Sequence, residues 1–101
     1  TITMSKEGIQ INRLLNEQQM NGKVGLFAHV TIAPGAVLDD HTHHGETETY
    51  HILAGEGVYR DNGTDCPAKP GDTFFCEDGG THGIRCVSQT PLEFMALIIK
   101  A

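Results

Sequence analysis

Four side chains of this sequence have the types and spacing to serve one metal ion: His41, His43, Glu48 and His82. Three imidazoles and a carboxylate are donors that first-row divalent metals take up. Residues i and i+2 of an extended chain point to the same side. His41 and His43 therefore reach a common point while Thr42 faces away. Glu48 and His82 lie further along and join them only if the fold brings their segments together. An octahedral ion on four protein donors keeps open positions for water, a chelating substrate or dioxygen. Fe(II), Mn(II), Ni(II), Co(II) and Zn(II) all tolerate this set, zinc less naturally because it prefers four-coordination. The expected cofactor is one divalent transition metal, and the site is expected inside a β structure.

The elements that must position these residues are short strands. Turn signals recur along the chain: Asn21-Gly22, Pro34-Gly35, Gly55-Glu56-Gly57, Asn62-Gly63, Pro70-Gly71 and Asp78-Gly79-Gly80. Pro-Gly suits the centre of a type II turn, where Gly accepts a positive φ, and Asn-Gly suits the type I′ turn of a tight hairpin. Between them the sequence predicts strands over 24–32, 48–53, 57–61, 73–76, 82–87 and 92–99. Many short strands separated by Gly and Pro turns indicate an all-β sandwich or barrel. Alternation puts Val24, Leu26, Ala28, Val30 and Ile32 on one face of their strand. In the last segment Leu92, Phe94, Ala96 and Ile98 oppose Glu93, Met95, Leu97 and Ile99. That second face is also largely apolar, so a second sheet or a subunit interface is expected to cover it. Residues 1–22 read as a short edge strand with a loop, Ile9 and Ile11 alternating and Leu14-Leu15 able to begin a helical turn.

The glycines around the cluster add specificity. Gly35 is followed after five residues by His41-x-His43, after four more by Glu48, and after six more by Gly55. This resembles the first motif of the cupin superfamily, G-x5-H-x-H-x3,4-E-x6-G, at every defined position. The second motif of that family is G-x5-P-x-G-x2-H-x3-N. Here Gly71, Gly79 and His82 match it, while Glu77 stands for the proline and Cys86 for the asparagine. Neither departure touches a ligand position. The resemblance covers residues 35–86, about half of the chain, and is to small single-domain cupins of the cupin 2 type. It implies a double-stranded β-helix, a conical antiparallel β-barrel of jelly-roll type, with His41, His43, Glu48 and His82 converging in its mouth. Glu46 is the rival carboxylate; it shares the parity of Glu48, and the six-residue gap to Gly55 favours Glu48.

Strand parity then names neighbours. If Glu48 points inward, so do Tyr50 and Ile52; if His82 does, so do Ile84 and Cys86. Tyr50 is the candidate catalytic residue, its phenol either bonding a substrate or capping the wall. His29, His44 and His51 fall outside the motif and read as structural or solvated, and His44 has the wrong parity to join His43.

Composition narrows the partners. The 101 residues suit a single domain, 1–101. A net charge of −6 without a basic cluster argues against nucleic acid. The longest aliphatic run, 95–99, is too short to cross a bilayer, and Thr1 to Lys6 lack the order of a signal peptide. Three cysteines, Cys66, Cys76 and Cys86, without a CxxC pair fit a reducing compartment, so the expected location is cytoplasmic. The family resemblance implies an enzyme of dioxygenase, decarboxylase or isomerase type, acting on a small oxygen-rich substrate that chelates the metal. The alternative is a non-catalytic small-molecule binding or sensor module. The apolar strand faces and the resemblance together imply a homodimer.

Overall fold

The structure, a computed structural model, describes residues 2–101. Ten strands and one short helix follow in the order β1 (Ile2–Lys6), β2 (Ile9–Arg13), α1 (Glu17–Met20), β3 (Val24–Ile32), β4 (Val37–Thr42), β5 (Glu46–Ala54), β6 (Gly57–Asp61), β7 (Thr64–Ala68), β8 (Thr73–Cys76), β9 (Thr81–Cys86) and β10 (Leu92–Lys100). They form a six-stranded sheet, β1-β2-β3-β10-β5-β8, and a four-stranded sheet, β4-β9-β6-β7. Every pairing is antiparallel. From β3 onward the chain crosses repeatedly between the sheets, which is the winding of a double-stranded β-helix. Among the described residues, no helix is long and apolar enough to cross a membrane.

The period-two reading sets the core. Ala28, Val30 and Ile32 of β3 and Leu92, Phe94 and Ala96 of β10 are buried on the predicted face. Ile84 of β9 and Tyr59 of β6 meet them from the opposite sheet. The six expected strands are present, with ends moved by one or two residues. Asn62 and Gly63 both take positive φ, 49° and 88°, as a type I′ hairpin requires.

Three expectations are corrected. Within the segment 1–22, residues 2–22 hold two paired strands and α1 rather than one strand and a loop. The helix starts beyond Leu14-Leu15, where Asn16 caps it by accepting from the Gln19 N–H while the Gln19 side chain accepts from the Asn16 N–H. Asn21-Gly22 consequently closes that helix, with Asn21 at φ 54°, instead of turning a hairpin. The stretch between Asp61 and Pro70, where no strand is expected, contains β7. Its Pro67 hid the strand; β7 lies at the sheet edge, where a missing N–H costs no ladder bond.

β4 was also not foreseen, and it matters most to the site. Leu38 pairs with Ile84 and His41 with His82, so Asp39 and Asp40 together oppose Gly83. This bulge resets the parity of the strand and turns His41 inward despite its odd distance from Leu38. Gly83 makes room for it: a Cβ there would collide with the Asp40 carboxylate and come within 2.9 Å of the Leu38 carbonyl oxygen.

Candidate metal centre

Three strands and one turn converge on the site. His41 comes from the bulged end of β4, Glu48 from β5 and His82 from β9, directly opposite His41. His43 lies just past β4, where its N–H donates to the Gly80 carbonyl (3.1 Å) and its carbonyl accepts from the Gly79 N–H (2.8 Å). The β8–β9 turn thereby fixes the second half of the His-x-His pair. One donor atom from each of the four side chains lies within 4.8 Å of the others. Glu48 Oε1 stands 2.9 Å from His43 Nε2, 2.9 Å from His82 Nε2 and 3.6 Å from His41 Nε2. His43 Nε2 and His82 Nε2 are 3.0 Å apart. Glu48, His43 and His82 are buried; His41 is partly open to solvent.

The far side of each imidazole is engaged. His41 Nδ1 bonds the Asp39 carbonyl at 2.9 Å, His43 Nδ1 the Glu46 carboxylate at 2.6 Å, and His82 Nδ1 the Tyr59 hydroxyl at 2.9 Å. A carbonyl or carboxylate only accepts, so His41 and His43 carry their proton on Nδ1. Their Nε2 lone pairs then point inward, beside the Glu48 carboxylate. Lone pairs and a negative charge gathered at one buried point repel unless a cation sits among them, and a divalent metal is the cation this donor set suits. The residues present fit a metal.

Protons can stand in for that cation: burial alone would raise the Glu48 carboxyl, but bonds donated by His41 and His82 and the fields of His82 and His43, when those rings carry a second proton, hold it at about 2. The Glu48 carboxylate in turn lifts the His41 imidazole above its ordinary value, against the opposing effect of burial. Burial pushes both Tyr50 and Tyr59 well up, so both phenols keep their protons.

Tyr50 is buried, with its ring stacked on His82 at 4.8 Å between centroids and 23° between planes. It lines, with Glu48, His41 and His43, an open cavity of about 410 Å3. His29 and His51 instead bond Glu93 and Thr73 at 2.9 and 2.8 Å, and His44 is exposed.

Two functional partners escaped the sequence reading. Glu46 entered it only as a rival ligand, yet it holds His43 from behind. Tyr59 was not singled out at all; it stacks on Phe74 at 4.4 Å and reaches His82 from below. The signal was present, since Arg60 on the same strand must face solvent and so turns Tyr59 inward. Outer partners of this kind typically carry 10–100-fold in metal affinity. Tyr59→Phe and Glu46→Gln are each expected to weaken metal binding by roughly 10–100-fold while leaving the protein folded. Competition with a chromophoric chelator reads this directly; unchanged affinity in both variants would remove them from the site.

Comparison with known proteins places this geometry in a lineage. The family described as the cupin domain matches residues 28–98. An oxalate-binding protein from Thermotoga maritima is 44% identical over 94 residues, covering 93% of this chain and 78% of that protein. The crystal structure of a predicted oxalate decarboxylase from Thermotoga maritima superposes with a TM-score of 0.92 at 39% identity, covering 100% of this chain and 91% of that one. KdgF from Halomonas sp. shares the fold, with a TM-score of 0.86 at 18% identity over 100% of this chain and 86% of that one. The winding of the sheets, the spacing of both motifs and the matched family agree, and the chain belongs to the cupin family.

Proposed function

We propose that His41, His43, Glu48 and His82 hold one divalent transition metal, and that the metal captures a small oxygen-rich chelating anion of the oxalate class. The observation that carries this is the set of inward Nε2 atoms around Glu48, with every Nδ1 engaged behind them. When bound, the metal supplies a Lewis-acid charge at which two ligand oxygens can bind side by side. The protein's own residues do the rest. Three neutral imidazoles and one carboxylate leave a divalent ion with a net positive charge, which draws in an anion. The described lining of the cavity includes no Lys or Arg, so an anion has no other cationic partner there. Tyr50 stays protonated in the cavity wall, its phenol bonded to the Glu48 carboxylate and beside the space a ligand would fill. That phenol favours a second reading, turnover of the chelated ligand as in a decarboxylase or dioxygenase.

The test is titration calorimetry of metal-loaded and chelator-treated protein with oxalate. Binding is expected only with metal, at about one ion per chain, the stoichiometry one four-donor site allows. Oxalate binding of equal strength to the metal-free protein would overturn the proposal. Carbon dioxide release or oxygen uptake in the same mixtures separates turnover from capture.

A further inference from the structure

The cavity in front of the metal ligands is far larger than oxalate and is lined for a different kind of molecule. Oxalate is two carboxylates joined directly and displaces roughly three waters, about 90 Å3 at the ~30 Å3 each takes in the liquid. The cavity measures about 410 Å3, within the range that organic ligands fill. Its polar groups gather at one end, on β4, just past it and on β5: Asp39, Asp40, His41, His43, Glu48 and Tyr50. The remainder crosses the six-stranded sheet from β5 over β10 and β3 to β2. At ~4.8 Å per strand that is a run of up to about 14 Å along the sheet.

Beyond the polar groups the run is hydrocarbon. Ile98 and Leu26 pair across β10 and β3 next to Glu48, and Val30 pairs with Ile11 further on. All four line the cavity, and Phe94 joins them. Ala96 lies between Tyr50 and Ala28 in the register, so the middle of the sheet has small residues where bulkier ones would fill the space. The charged lip is acidic, formed by Asp39 and Asp40, with Asp40 paired to Arg60 at 3.1 Å. A second anionic group beyond the chelate would meet no positive partner among the described lining residues and would cost desolvation.

We infer that the ligand is a 2-oxo acid with an uncharged branched or aromatic tail, its carboxylate and 2-oxygen at the metal end and its tail against Leu26, Val30 and Ile11. The inference rests on the metal-chelate reading above and adds the class of molecule to it. Burial of each tail methylene raises affinity by about fourfold where the wall is apolar and water leaves.

The test uses the full chain loaded with Mn(II) and titrated with pyruvate, 2-oxobutanoate, 2-oxopentanoate and 4-methyl-2-oxopentanoate, with oxalate as reference. Kd is expected to fall by about fourfold for each added carbon. Ile11→Phe, which fills the far end without touching a ligand residue, is expected to flatten the series and leave oxalate binding within about twofold. Should that variant fail to fold, Ile11→Ala lengthens the run instead and is expected to move the preference to phenylpyruvate. A flat series in the unsubstituted protein, with oxalate still bound, overturns the tail and leaves the metal-chelate reading standing. Failure of both oxalate and pyruvate to bind the loaded protein overturns both.

Discussion

His82→Ala is expected to purify without metal, and His51→Ala to retain it. His82 is 1% exposed and supplies the donor that closes the cluster from the four-stranded sheet. Its loss removes an Nε2 at 2.9 Å from Glu48 and leaves the Tyr59 hydroxyl facing a void. Losing an outer partner costs 10–100-fold in affinity, so losing a direct donor is expected to cost more than about 100-fold. Metal content per chain, measured by elemental analysis, should drop from about one ion to a trace. His51 points to solvent from β5 and bonds only Thr73, so its loss leaves metal content unchanged and controls for handling. Stoichiometric metal in folded His82→Ala would remove that residue from the ligand set. Acidification acts in the same direction as the substitution. The imidazoles bind metal only when Nε2 is unprotonated, and Glu48 lifts the His41 value. The apparent metal affinity should therefore start to fall, as protons compete for the imidazoles, at a pH above the ordinary imidazole value of about 6.5.

Sequence alone carried the cluster and the fold class because both rest on local rules. The β5 parity that puts Glu48, Tyr50 and Ile52 inward needs only a period of two, and all three are buried. The spacings from Gly35 to Gly55 needed no tertiary knowledge either. What stayed hidden depends on contacts between distant segments. The β4 bulge breaks the alternation that a sequence reading assumes, and its cause, the missing Cβ of Gly83, lies on another strand. Glu46 and Glu48 share a parity; only the position of the His43 ring, set by bonds to Gly79 and Gly80, turns one into an outer partner and the other into a ligand candidate. The apolar extent of the cavity depends on β2 and β3 facing β4 across the two sheets, a pairing that no periodicity in the chain reports.

Gly55→Ala is expected to destabilise the protein by about 3–4 kcal/mol, and the comparison with Gly35→Ala explains why. Both glycines belong to the first motif, and both sit at positive φ, 77° and 80°. A side chain in that region costs about 1–2 kcal/mol at either place. The surroundings differ. A Cβ on Gly35 meets nothing within 4 Å. A Cβ on Gly55 would collide with the Pro91 carbonyl oxygen and lie 2.8 Å from Leu92 Cα, both of them backbone. Those atoms open β10, the strand that pairs with both β3 and β5 and carries the buried Leu92, Phe94 and Ala96. Relief of the clash must therefore shift the start of the central strand, where Glu93 already pairs with Ala54 beside a register irregularity. At about 4–8 °C per kcal/mol for a chain of this size, Gly55→Ala should lower Tm by roughly 12–32 °C, and Gly35→Ala by roughly 4–16 °C. Thermal unfolding of the two variants side by side decides it. Equal losses would mean that left-handed backbone alone explains the motif glycines. A larger loss at Gly55 shows that the chain passes from β5 to β6 there only because nothing projects toward β10.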